Sequence, residues 1–163
     1  MARCPTCGEE VGGLGLEVTF GHPDAIVALP EAERAERVTM AGRNFAQLDG
    51  KRFFIRVLLP VQLDIGHEYR FGVWIEVSEG DCKHVWKIWD TPDYAEAEVE
   101  GMLANIVPPW GDRLAGAACH ASARNRDDVL YIDRSTHREL EQVLTTPWPV
   151  HECRQLIEEV WGS

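Results

Sequence analysis

The chain has 163 residues, a net charge of −11 and 45% hydrophobic residues. That suits one domain spanning 1–163, able to bury roughly two thirds of its unfolded surface without disulfides, and it argues against wholesale disorder. The acidity argues against nucleic acid as a ligand, because phosphate backbones are held by Lys and Arg. No apolar run approaches the roughly 20 residues that span a bilayer, so no membrane association is expected. The opening Met1-Ala2-Arg3-Cys4-Pro5 has no apolar stretch of a signal peptide. A reducing cytoplasm is the expected compartment. Five cysteines, of which only Cys4 and Cys7 are close, do not form a disulfide scaffold pattern.

Residues 1–13 hold Cys4-Pro5-Thr6-Cys7-Gly8 and a Gly-rich exit at Gly12-Gly13. Two thiolates three positions apart can share one metal through a tight turn, and Gly8 allows the left-handed backbone of such turns. This is half of a Zn2+ site. No second C-x-x-C or H-x-x-x-H completes it. Cys82 and Cys153 fall on apolar helical faces and read as core. Cys119 and His120 are neighbours on a strand, so at most one could join. His22 and His151 are the remaining candidates. Two free thiols, or a redox pair, are the other readings of the motif.

A short strand is expected at 16–20. Pro30 opens a helix to about Val38, with Glu33 and Arg37 paired at i, i+4. Asn44–Leu48 reads as a strand leading into the turn Asp49-Gly50. From Phe53 to Leu63 every odd position is apolar, which predicts a long strand with one buried face. Pro60 within it points to an edge or a bulge. Alternation resumes at Tyr69, Phe71, Val73, Ile75 and Val77, giving an antiparallel hairpin. Its opposite, polar face carries Arg56, Arg70, Trp74 and Glu76.

The period then changes. Ser78 and Asp81 have the spacing of a capping box, and Cys82, Val85, Trp86 and Trp89 form one helical face. Ala95–Val99 alternates as a strand would, although its residue types also suit a helix, and 114–123 and 129–133 read as further strands. Thr136 and Glu139 cap a helix carrying Leu140, Val143 and Leu144. A last helix presents Val150, Cys153, Leu156, Ile157, Val160 and Trp161. The expected fold is α+β: an antiparallel sheet of about five to six strands covered by helices from both ends of the chain.

Several of these segments, taken in order, resemble the bacterial family called domain of unknown function 2199. They are the knuckle, Leu29-Pro30-Glu31 through Arg37, Phe53-Phe54-Ile55-Arg56 leading to Leu59-Pro60-Val61, Phe71-Gly72-Val73-Trp74, Gly101–Leu103 and His137. The resemblance implies a shared fold and brings no activity with it.

Two functions are compatible with these residues. One is a non-catalytic interaction module, an inhibitor or immunity-type partner of a basic protein, supported by the acidity and the lack of catalytic motifs. Trp110 and Trp148, beside prolines, could then line its surface or pack under loops. The other is a small enzyme with a pocket around Arg56, Trp74, Glu76 and His137. Arg56 would anchor an anion, and His137 or Glu76 would act as acid and base. Against it, Arg56 can simply pair with Glu76 across the strands. The knuckle has its own test. A zinc site requires one zinc per chain by elemental analysis, lost on Cys4→Ser. Metal-free protein with both thiols open to alkylation selects the free-thiol reading.

Overall fold

The computed structural model describes Pro5 and residues 18–161, so Cys4 and Cys7 lie outside the described residues. The two alternating runs form the longest strands, β3 (Arg52–Gln62) and β4 (Glu68–Val77). They pair antiparallel from Phe53↔Val77 to Gln62↔Glu68. Before them come α1 (Asp24–Val27), α2 (Glu31–Arg37), β1 (Val38–Ala41) and β2 (Phe45–Leu48). Asp49 and Gly50 both have positive φ, 57° and 64°, as the tight β2–β3 turn demands. After β4 follow α3 (Glu79–Ile88), β5 (Glu98–Leu103), β6 (Ala118–Ser122), β7 (Tyr131–Arg134), α4 (Arg138–Thr145) and α5 (Val150–Leu156).

The α+β class is as expected, but the sheet is not open and antiparallel. Seven described strands form one mixed sheet in the order β1 to β7, and β7 also pairs with β3. β3 to β7 run up and down, each antiparallel to the last. An odd number of alternating strands leaves the first and last pointing the same way. Closure into a barrel therefore has to be parallel, as it is at Leu58↔Tyr131.

One edge of β3 carries β4 along its length. The other carries β2 over Arg52–Ile55 and then β7 at Leu58. The Arg56 N–H donates to Asn44 O and the Leu58 N–H to Leu130 O, both at 2.9 Å. In this alternation the next donor toward β7 would belong to residue 60. That residue is Pro60, which has none. The ladder accordingly stops after one bridge, and the sequence-based placing of Pro60 at a disrupted edge has this physical meaning.

Inside, Ile55, Val57, Leu59, Phe71, Val73 and Ile75 pack with Val85 of α3, Leu140 of α4 and Val150 and Cys153 of α5. The opposite face of the hairpin is not a solvated polar face. Phe54 and Trp74 are fully buried there with Ile26 of α1, Ala46 and Leu48. Trp74 Nε1 donates to Phe20 O at 2.9 Å. The cover is the segment 18–29, whose four-residue helix is too short to announce itself by periodicity.

β4 is longer than β5, so part of its outer edge needs other partners. The buried side chain of Asn105 supplies one, accepting the Trp74 N–H at Oδ1 (2.7 Å) and donating from Nδ2 to His22 O and Asp24 Oδ1 (both 3.0 Å). Further along, Val18 and Phe20 bond Gly72. An added Cβ on Gly72 would sit 2.9 Å from the Thr19 side chain, so a larger residue would have to push the crossing chain's Thr19 aside.

Other differences are local. Trp86 is 56% exposed while Ile88 is buried, because Trp86 lies at the margin of the α3 stripe. α4 starts one residue late: Ser135 Oγ accepts the His137 N–H at 2.9 Å, and His137 rather than Thr136 is the cap. The last helix changes to a π-helix over Ile157–Trp161. Wider turns dephase the 3.6-residue stripe, and Val160 is exposed. Asn105→Ala is expected to cost about 1–3 kcal/mol, the penalty for a buried N–H left without an acceptor, read as a lower urea midpoint with unchanged slope.

Candidate functional site

The partner change along β3 opens a gap at Arg56, between the start of β2 and the segment entering β7. A cavity of about 390 Å³ lies there. Arg56 is half-buried, and its Nε donates to Asn44 Oδ1 at 2.9 Å. Among the described residues its terminal nitrogens have no hydrogen-bond partner. Burial lowers the Arg56 pKa, the Asp128 carboxylate opposes that shift, and the Arg43 charge adds to it.

Trp89, Tyr94 and Val129 form the apolar wall. Trp89 and Tyr94 meet edge to face, 4.9 Å between centroids. The floor is locked by Asp128. Its carbonyl accepts the Tyr94 hydroxyl (2.7 Å), and its carboxylate accepts the Tyr131 hydroxyl (2.6 Å) and the Val129 N–H (2.9 Å). Burial, followed by repulsion from Asp128, raises the Tyr94 pKa, so this hydroxyl stays a donor.

The structure does not gather the four pocket residues expected from sequence. Arg56 faces Trp74 in the register, but Trp74 is sealed under α1. Glu76 takes a two-point ion pair from Arg52 (3.0 and 2.7 Å) and lines other cavities. The Arg56–Glu76 pairing fails on register, since Glu76 stands opposite Phe54. His137 caps α4, its Nδ1 3.4 Å from the Leu140 N–H.

Trp86 and Trp89 stand edge-on to Phe45, at 5.1 and 5.0 Å. An exposed indole on α3 is thus continuous with the cavity wall. Trp148 is buried, and it packs with Trp110 (5.2 Å) against Phe71. The packing reading of the loop tryptophans is the observed one.

A second grouping was not apparent from sequence. His120 is only 7% exposed although it lies on the outer face of the barrel. Its Nδ1 is 2.6 Å from Asp133 Oδ1, and the Ser122 hydroxyl donates to Asp133 Oδ2 at 2.7 Å. Its Nε2 is 3.7 Å from Glu98 Oε2. From sequence, His120 stands out only as a metal candidate beside Cys119. Alternation on β6 gives the visible signal, with Cys119 in the core and His120 outside. Among the described residues no His, Cys, Asp and Glu cluster fit for a metal is present, and no helix is long and apolar enough to cross a membrane.

Over residues 3–140 the sequence matches a family described as an uncharacterized protein conserved in bacteria, DUF2199. The chain belongs to that family. The match takes in the hairpin, α3 and all strands of the DUF2199 barrel, and ends within α4. No curated protein and no solved structure matches the chain.

Cys82, Cys119 and Cys153 are buried free thiols, as core residues should be. Burial pushes Cys119 and Cys153 up to about 12, with Asp133 adding to the effect at Cys119. The unfolded thiol, near 9, loses its proton first. This contribution to stability is therefore complete below about pH 9 and is lost as pH rises toward about 12. Native protein is expected to resist alkylation at these positions near pH 8, read by mass spectrometry. The denaturant midpoint should fall across the alkaline window.

Proposed function

We propose that the protein is a non-catalytic interaction module that docks a basic protein partner on the α3 face, with Trp86 as the anchor. The observation carrying this reading is Trp86 itself, 56% exposed yet fixed edge-on to Phe45. A large indole held in one orientation loses little freedom on binding, and Trp is the residue type most enriched at interface hot spots. The charge of −11 supplies long-range attraction for a cationic partner. Asp81 on the same helix lines a recess with Glu98 and Glu100 of β5. Arg56, Glu76 and His137 lie apart, Arg56 in one cavity, Glu76 in others and His137 at the α4 cap, which lends the enzyme reading little support. That leaves binding as the better supported class. A zinc knuckle at Cys4 and Cys7 would be a structural accessory to this role.

Immobilised full-length protein is expected to retain basic proteins from a bacterial lysate, with retention falling steeply as salt rises. Trp86→Ala should weaken the retained, identified partner by about 2 kcal/mol, or about thirtyfold, with an unchanged melting temperature. Retention of proteins without basic character, or retention indifferent to Trp86→Ala, would show the reading to be wrong.

A further inference from the structure

A guanidinium withdrawn from water is costly unless a carboxylate or several acceptors satisfy it. Arg56 has one acceptor, the Asn44 amide oxygen, on Nε. That bond fixes the plane of the group and leaves its terminal edge toward the cavity. The nearby Asp128 carboxylate is already taken by Tyr131 and Val129. The site is therefore built around a preoriented cation whose forked edge fits a carboxylate.

The remaining charges decide what sort of carboxylate. Asp90, Asp127 and Asp128 line the cavity with Arg56 and Arg126, while Arg70 lies 4.0 Å from Asp128 and Arg43 acts on Arg56 from nearby, so charges of both signs meet here. Asp90 and Asp127 have no side-chain partner among the described residues. A phosphate or a plain dicarboxylate would leave Asp90 and Asp127 without a counter-charge. A simple cation would meet Arg56. A ligand carrying both signs satisfies both sets, and a non-polar portion can lie on Trp89. The volume, about 390 Å³, is at the small end of ligand pockets.

We propose that this cavity binds a free α-amino acid. Its carboxylate sits on the terminal edge of Arg56 and its ammonium toward Asp90 and Asp127. Trp89 belongs to both the cavity wall and the aromatic group beside Trp86, so ligand occupancy and the α3 face share a side chain.

The test is calorimetric titration of the full chain with each common L-amino acid in turn. Saturable binding by one or a few is expected. Removing the carboxylate charge as the α-amide, or the ammonium charge by N-acetylation, should weaken the best ligand about tenfold or more. Arg56→Lys should do the same while retaining the wild-type melting temperature. Should Arg56→Lys fail to fold, the amide and N-acetyl comparisons on wild-type protein decide. Absence of saturable binding by every amino acid would overturn the proposal. So would affinity unchanged in a folded Arg56→Lys variant. An N-acetyl derivative binding as tightly as its parent would assign the cavity to a polypeptide C-terminus and likewise overturn it.

Discussion

Everything distinctive in this fold follows from β3 having two partners on one edge. Its eleven residues exceed what either β2 or β7 can pair. β2 takes the first part, β7 returns to the second, and the return closes the barrel. Where one partner leaves and the other arrives, the outer face of β3 carries Arg56 between two apolar clusters, Phe54 with Trp74 on one side and Leu58 with Tyr131 on the other. A cation in such a position needs local compensation, and Asn44 supplies one acceptor while Asp128 supplies a nearby negative charge. The cavity is thus a by-product of topology that the side chains then line.

Legibility in the sequence tracks the length of the pattern. β3 and β4 were readable because ten or more alternating residues leave no ambiguity of face, and their pairing follows from the short turn. Given that register, the failure of Arg56 to meet Glu76 was in principle readable too, since pairing Phe53 with Val77 sets Arg56 opposite Trp74. β1 and α1 were missed because four residues do not establish a period. In β1 both Thr39 and Met40 are exposed, so even the alternation is broken. β5 was expected a few residues early, where Pro92–Glu96 instead makes a 3-10 turn. Closure could not be read, as it rests on one parallel bridge between residues far apart in the chain.

The candidate site shows the same division. Arg56 stands out in the sequence as a potential anion anchor, because an Arg alternating with apolar residues on a long strand is unusual. Its companions were not legible. Asn44, Trp89 and Asp127–Val129 come from three separate segments joined only by the barrel. The polar face inferred for the hairpin was wrong for a similar reason: nothing in the alternation says that residues 18–29 fold back to cover Phe54 and Trp74. Trp86 was assigned to the core by helical spacing, whereas its position at the margin of the stripe makes it the most exposed large apolar side chain described.

Barrel closure also governs how the protein meets copies of itself. A closed ring offers no unpaired strand to a neighbouring molecule, and strand-to-strand addition is the usual route to aggregation. Here the liability is moved outward to β1, which among the described residues pairs only with β2. That strand is four residues long and follows directly on α2, whose Arg37 is clamped to Asp49 by two hydrogen bonds of 2.9 and 2.8 Å. A short, pinned edge of this kind gives a growing β-ladder almost nothing to extend. The edge is thus guarded by geometry as well as by the net charge of −11.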